Sequence, residues 1–518
     1  MGGSTAGYAL ARRGWRVLFL ERGSYLFGGA DRGNGRMPPD SDESPVARLA
    51  RGQWPVPIEG DTTFGPLEFF APLGCGSGGS TGLFAAQLER LHPRDFRPRQ
   101  CHPQARDADL PETWPISYEE LLPFYREAEA LFRVTGTPDP LNPDPEASLI
   151  KPPPLSERDQ DLFDSFSELG LHPYRAHAGL GFVPGCEGCP GVLCPRGCKS
   201  DSGLICLVPA LEKHGARILT QCTVTALEAD ESAVRSVVFR RRGTEQRVSA
   251  RVVVLAAGAL STPALLLGSA SPTWPDGLAN RSGLVGRNLM FHVSDFAAVR
   301  SRRRASEVGP RKALSLNDFY VHDGVKLGTF QSMGISVDPG YVLYYLRSVF
   351  QKRPRWQQRL IGPALRVVAR AAALYFDGAA VFASIVEDLP YRQNRVFPDE
   401  WAESGFRFEY HYPEELRARS RLSQRMLAET LRSRHRTMVL SGENNLNFGH
   451  TCGTCRFGDD PATSVLDRDN RAHDLENLYV VDASFFPSSG GTNPSLTIAA
   501  NALRAAEAIQ RQLSSGSL

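Results

Sequence analysis

His450, Cys452 and Cys455 lie within six residues of one another in "GHTCGTCRFGDDPATSVLD", which begins at Gly449. Imidazole and thiolate at such spacing could begin a zinc site, but His-x-Cys-x2-Cys has no clear fourth ligand nearby. The competing reading is packing, because free cysteine behaves as a small buried hydrophobe. On these residues alone His450 reads as an ordinary structural histidine. A second group, Cys186, Cys189, Cys194 and Cys198, follows C-x2-C-x4-C-P-x2-C. That spacing partly matches iron-sulfur runs and partly a zinc knuckle, and fits neither well. A metal or cluster, a disulfide, and plain thiols ordering a Pro/Gly-rich loop all stay open.

Several glycine-rich segments should position such groups. "MGGSTAGYALARRGWRVLFLERGSY" reads as the second half of a dinucleotide-binding unit, with Gly3 as its third glycine, a helix over "STAGYALARRG", a strand "RVLFLE" and Glu21 as the ribose acid. The unit's first strand and first two glycines are expected to be missing, and with them firm cofactor binding. Gly2 and Gly3 would let helix N-terminal amides approach a pyrophosphate. "APLGCGSGGSTGLF" from Ala71 is a second glycine-rich loop, "ARILTQCTVTALEAD" from Ala216 reads as strands, and "NLYVVDASFF" from Asn477 is a strand ending at Asp482, as a ligand contact or a cap. Asn493-Pro494 forms a turn before a helix over "SLTIAANALRAAEAI".

The bulk numbers set the class. With 518 residues and 42% hydrophobic content the chain should form two or more domains, and a net charge of +2 gives no electrostatic footprint for nucleic acid. "VVVLAAGALSTPALLLGSA" from Val252 is long enough to cross a bilayer, but its Gly258 and its Ser-Thr-Pro break read as strand, turn and helix start. No transmembrane segment is expected. "LIGPALRVVARAAALYF" from Leu360 reads as an amphipathic helix with a possible surface role. No secretory signal is visible, which points to the cytoplasm.

In this order, "GCGSGGSTG", "GALSTPALLLGS", "TWPISYEELLPFYREAEALF" and the "HTCGTC…NLYVVDASFFP…NPSLTIAANALRAAE" block resemble the glucose-methanol-choline (GMC) family of FAD-dependent oxidoreductases over nearly the whole chain. The resemblance implies an α/β fold: a Rossmann-like FAD domain (1-95, 200-300 and 445-518) with an interleaved α+β substrate domain on an antiparallel sheet (96-199 and 301-444). It implies His450 as catalytic base and Asn493 as its partner. An imidazole takes up the alcohol proton at neutral pH, while an amide can hold the alcohol oxygen in line. It further implies FAD contacts at Gly2, Gly3, Glu21, Gly78, Gly79, Ser80, Val224, Gly258, Asp482, Asn493 and Pro494. Phe84 stands where many members have Asn near the flavin, and with no His at the usual attachment loop the FAD is expected to be noncovalent. Some relatives carry an iron-sulfur cluster, so Cys186–Cys198 stays a candidate. The expected reaction is oxidation of a CH-OH group of an alcohol or sugar, with oxygen, a quinone or a redox protein as electron acceptor. A hydroxynitrile-type lyase on the same fold and a non-catalytic relic are the alternatives.

Overall fold

The computed structural model describes residues 1–28, 32–35, 43–186, 188–303, 312–337, 339–350, 355–376, 378–433, 435, 437–440 and 446–516. The helices that position its main cleft are α1 (Gly2–Ala11), α2 (Tyr118–Leu131), α3 (Ser261–Gly268), α4 (Pro339–Phe350), α5 (Arg355–Tyr375) and α6 (Ser495–Ser515).

Small residues let α1 press against strand ends. Gly2 and Gly3 sit where no side chain fits: a Cβ on Gly2 would lie 1.8 Å from the Val481 carbonyl oxygen, and one on Gly3 2.7 Å from Ala256 Cβ. Two parallel strand pairs lie there, Leu18–Leu20 with Arg217–Leu219 and Val253–Leu255 with Leu478–Val480. Their apolar side chains join α1 and α6 in the largest core cluster, through residues such as Ala6, Leu255, Val480, Leu496 and Leu503. Helix α2 packs on α6. It starts in a capping box in which Ser117 Oγ accepts from Glu120 N–H at 3.1 Å and Glu120 Oε2 accepts from Ser117 N–H at 2.8 Å. The apolar run from Val252 divides into strand Val253–Leu255, a left-handed Gly258 (φ +91°) and α3.

Above the cleft stands an antiparallel sheet of six strands in the order Thr437–Leu440, Phe296–Val299, Ala380–Ser384, Phe330–Ser336, Leu314–Leu316 and Tyr174–Arg175. A smaller sheet runs Arg395–Pro398, Phe406–Tyr410, Ile58–Thr62 and Gly65–Phe69, with its two middle strands parallel. Strand pairing crosses the sequence-based division in at least three places, one of them His292–Val293 against Val386–Glu387. Phe296–Val299, assigned to the flavin domain, is an interior strand of the six-stranded sheet. Ile58–Phe69, also assigned there, pairs with the 395–410 hairpin. Among the described residues no helix is long and apolar enough to cross a membrane.

Candidate active site

One cleft of about 2590 Å³ runs from the N-terminus of α1 to the loop that begins α6. At one end Gly2, Gly3 and Glu21 line it, with Val224 and Gly258 beside them. Glu21 directly follows strand Leu18–Leu20; its Oε1 accepts from Gly23 N–H at 2.7 Å, and burial raises the carboxyl pKa. Midway, Gly78, Gly79 and Ser80 form a wall with left-handed Gly78 (φ +95°) and Gly79 (φ +55°). A Cβ on Gly78 would lie 3.2 Å from Asp201 Oδ1. Phe84 lines the same wall.

Asp482 lines the cleft with its carboxylate already engaged. Oδ2 accepts from Gly258 N–H at 2.9 Å and from the Thr262 hydroxyl, and Oδ1 accepts from Ser484 N–H at 2.9 Å. It therefore braces the Gly258 turn and caps the turn at Ala483–Phe485.

His450, Asn493 and Pro494 occupy the far end. His450 Nε2 stands 3.2 Å from Asn493 Nδ2, and His450 Nδ1 stands 3.1 Å from His292 Nδ1. His292 Nε2 lies 2.9 Å from the Gly490 carbonyl oxygen, which only accepts, so that nitrogen carries the proton. Burial draws the His292 pKa down to about 4, so this ring is neutral and its Nδ1 presents a lone pair. His450 Nδ1 must then donate, which leaves His450 Nε2 as an acceptor toward Asn493. The Asn447 amide nitrogen, 3.3 Å from His450 Nδ1, can only donate, so it makes no hydrogen bond to that nitrogen while Nδ1 carries the proton. Burial first, then His292 and Lys312, holds His450 well below the usual histidine range. Cys452 and Cys455 are fully buried beside it in the core cluster.

A charged clamp lies behind this pair. Glu387 Oε1 accepts from Gly490 N–H at 3.1 Å, and its Oε2 lies 2.7 Å from Lys326 Nζ, which also meets Asp95 Oδ1 at 2.5 Å. The Tyr320 hydroxyl donates to Asp95 Oδ2 and accepts from Gly491 N–H at 3.1 Å. All four side chains are buried. Burial opposes charge on Lys326, yet Asp95 and Glu387 hold its ammonium above the ordinary range.

Sequence reading passed over His292, Lys312 and this clamp. Lys312 lines the cleft, donates to the Ala85 carbonyl at 3.1 Å, and is drawn down to about 7 by burial. No motif marks these residues; a lone histidine in "NLMFHVSD" carries no spacing signal.

None of Cys186, Cys189, Cys194 and Cys198 lines the cleft, although Pro190 and Gly191 of their loop do. Cys198 Sγ lies 3.5 Å from both Cys186 Sγ and Cys194 Sγ. Among the described residues no group of three or more His, Cys, Asp or Glu side chains is disposed to hold a metal ion. The loop is tied to the cleft wall by buried Lys199, which donates to the carbonyls of Phe84, Cys189 and Val192.

Two sequence profiles match the chain, both of GMC oxidoreductase, over residues 116–294 and 399–502. The chain belongs to the GMC oxidoreductase family. Members are FAD-dependent, and the cleft fits that cofactor: it is elongated, glycine-lined where side chains would intrude, and its Asn493 leaves a buried Oδ1 without a protein partner. Among GMC relatives, paromamine 6'-oxidase of Streptomyces fradiae is 29% identical over 529 residues, spanning 99% of this chain and 90% of the relative. The 2-methyl-1,2-propanediol dehydrogenase of Mycolicibacterium austroafricanum is 28% identical over 458 residues, spanning 84% and 81%. Pyridoxine 4-oxidase from Mesorbium loti shares the fold, with a TM-score of 0.65 at 20% identity over 98% of this chain and 97% of that one.

Proposed function

We propose that this GMC oxidoreductase oxidises a CH-OH group of an alcohol or sugar-like small molecule, with His450 as the base. The observation that carries the reading is the pairing of His450 Nδ1 with His292, which makes Nε2 the basic nitrogen; it accepts from Asn493 Nδ2–H at 3.2 Å, a bond that an incoming hydroxyl would displace as it gives Nε2 its proton. Asn493 stands beside Nε2 and can hold the substrate oxygen in line. Bound flavin would supply the hydride acceptor; Gly2, Gly3, Glu21, Gly78, Gly79, Ser80, Val224, Gly258 and Pro494 would hold it, and Asp482 would keep the Gly258 turn in place.

The six-stranded antiparallel sheet is the substrate wall in this reading. Gln331 and Ser294 line the cleft there and leave Gln331 Oε1 and Ser294 Oγ without protein partners. Buried polar atoms of that kind suit a hydroxyl-rich ligand. The two relatives named above are an oxidase and a dehydrogenase whose names denote an amino-sugar-type compound and a diol, and the lyase reading gains no support from them. The proposal takes FAD as cofactor and routes no electron through the Cys186–Cys198 loop.

The test is anaerobic bleaching of the flavin-loaded protein by a panel of diols, sugars and amino sugars. Reduction by at least one member of the panel is expected. Flavin that stays oxidised throughout, in protein that turns over a cyanohydrin, would overturn the oxidoreductase assignment in favour of the lyase.

A further inference from the structure

Helix α5 turns a bare apolar face outward. Leu360 is 72% exposed, Val367 67%, Val368 50%, Leu374 80% and Tyr375 61%. Together with exposed Ala364 and Ala371 they follow the three- and four-residue steps that place side chains on one helical face. Leu365, Ala369, Ala373 and Phe376 are buried on the opposite face, so the helix is seated on one side and uncovered on the other. Five of the thirteen exposed large apolar side chains among the described residues belong to this helix, while the rest are scattered along the chain. A contiguous patch of this kind marks an interaction surface.

Charge identifies the occupant. Exposed Arg366 and Arg370 run along one flank of the apolar face. Between 339 and 376 the sequence holds seven Lys and Arg and no Asp or Glu, in a chain whose whole balance is only +2. A two-fold contact that sets the helices antiparallel would bring like-charged flanks against each other. An apolar stripe with a cationic flank matches the boundary between acyl chains and anionic headgroups. We propose that the outer face of α5 docks on an anionic lipid bilayer, with Leu360, Val367 and Leu374 entering the acyl boundary and Arg366 and Arg370 meeting headgroup phosphates. The helix lies in the interface and does not span it. Because Val342 and Leu343 of α4 and Ala372 of α5 line the cleft, docking brings one wall of the active site to the lipid.

The test is co-sedimentation of the full flavin-loaded chain with vesicles of phosphatidylcholine alone or of equal parts phosphatidylcholine and phosphatidylglycerol. Binding to the anionic vesicles that weakens with added salt is expected. Arg366→Gln with Arg370→Gln should weaken it about fivefold per charge, and Val367→Ser with Leu374→Ser by about tenfold or more. All four positions are exposed, so flavin content and melting temperature should be kept, which separates lost docking from lost folding. Absence of binding to anionic vesicles at low salt, or binding that neither pair of substitutions alters, would overturn the proposal. So would a dimer in solution that Leu374→Ser dissociates, since the face would then belong to a second copy.

Discussion

His450 Nδ1 and His292 Nδ1 face each other at 3.1 Å, and the pair can bond in only one sense because His292 gives its own proton to the Gly490 carbonyl. The second ring thus sets which nitrogen of the first is basic. His292→Phe should keep the bound flavin but slow its anaerobic reduction by about 10-fold to 100-fold, as the base samples the wrong tautomer. Stopped-flow absorbance would measure this, and an unaltered rate would remove His292 from the account.

The pH dependence follows from the lowered pKa of His450. A base whose proton affinity is depressed stays neutral, and therefore active, to lower pH than an ordinary imidazole at about 6.5. The acidic limb of kcat/KM should accordingly fall below that value. His450→Ala should abolish the limb and slow flavin reduction by roughly 10²–10⁴, and Asn493→Ala should slow it less. A limb at or above the ordinary value would contradict the site as described.

Stability carries a related signature. His292 is fully buried with its pKa drawn down to about 4, so the unfolded chain takes up a proton first as pH falls. Its contribution is present above about 6.5 and is lost as pH drops through about 4, by up to about 3 kcal/mol. Buried Asp388, raised to about 7, works in the opposite direction, so the difference between wild type and His292→Phe is the useful quantity. Thermal melts from neutral to acid pH should show a shallower decline for the variant; parallel curves would count against it.

Gly2 has no space for a side chain against the Val481 carbonyl. Gly2→Ala should push α1 off the strand ends, costing about 1–3 kcal/mol of stability and much of the bound FAD. Gly268→Ala, where a Cβ meets nothing within 4 Å, is the control and should be neutral. Equal flavin content in the two variants would mean that the close approach at α1 is not needed.

Much of the site was legible because its motifs are local. Gly2 at the start of α1, and Gly78 and Gly258 in glycine-rich turns, report a backbone demand, and His450 and Asn493 follow from the resemblance; all of them line one cleft. His292 escaped because its role depends on a contact across 158 residues of sequence. The strand pairings that cross the domain limits escaped for a similar reason. The pairing of Ile58–Thr62 with Phe406–Tyr410 is a parallel contact between distant segments, and neither segment's alternation reveals its neighbour. The cysteines of 186–198 were ambiguous because spacing alone does not fix sulfur geometry.

The clamp behind Gly490 joins Asp95, Lys326 and Glu387, drawn from three distant stretches of chain. Burial penalises each of these charges, so in the dry interior each is held only while its partners are in place. The reactive corner is therefore finished late in assembly and undone early in disassembly: a chain cut between Asp95 and Lys326 would keep its base yet lack the anchor that orients it. Heat should accordingly take chemistry before architecture, with turnover fading below the temperature at which the fold itself melts.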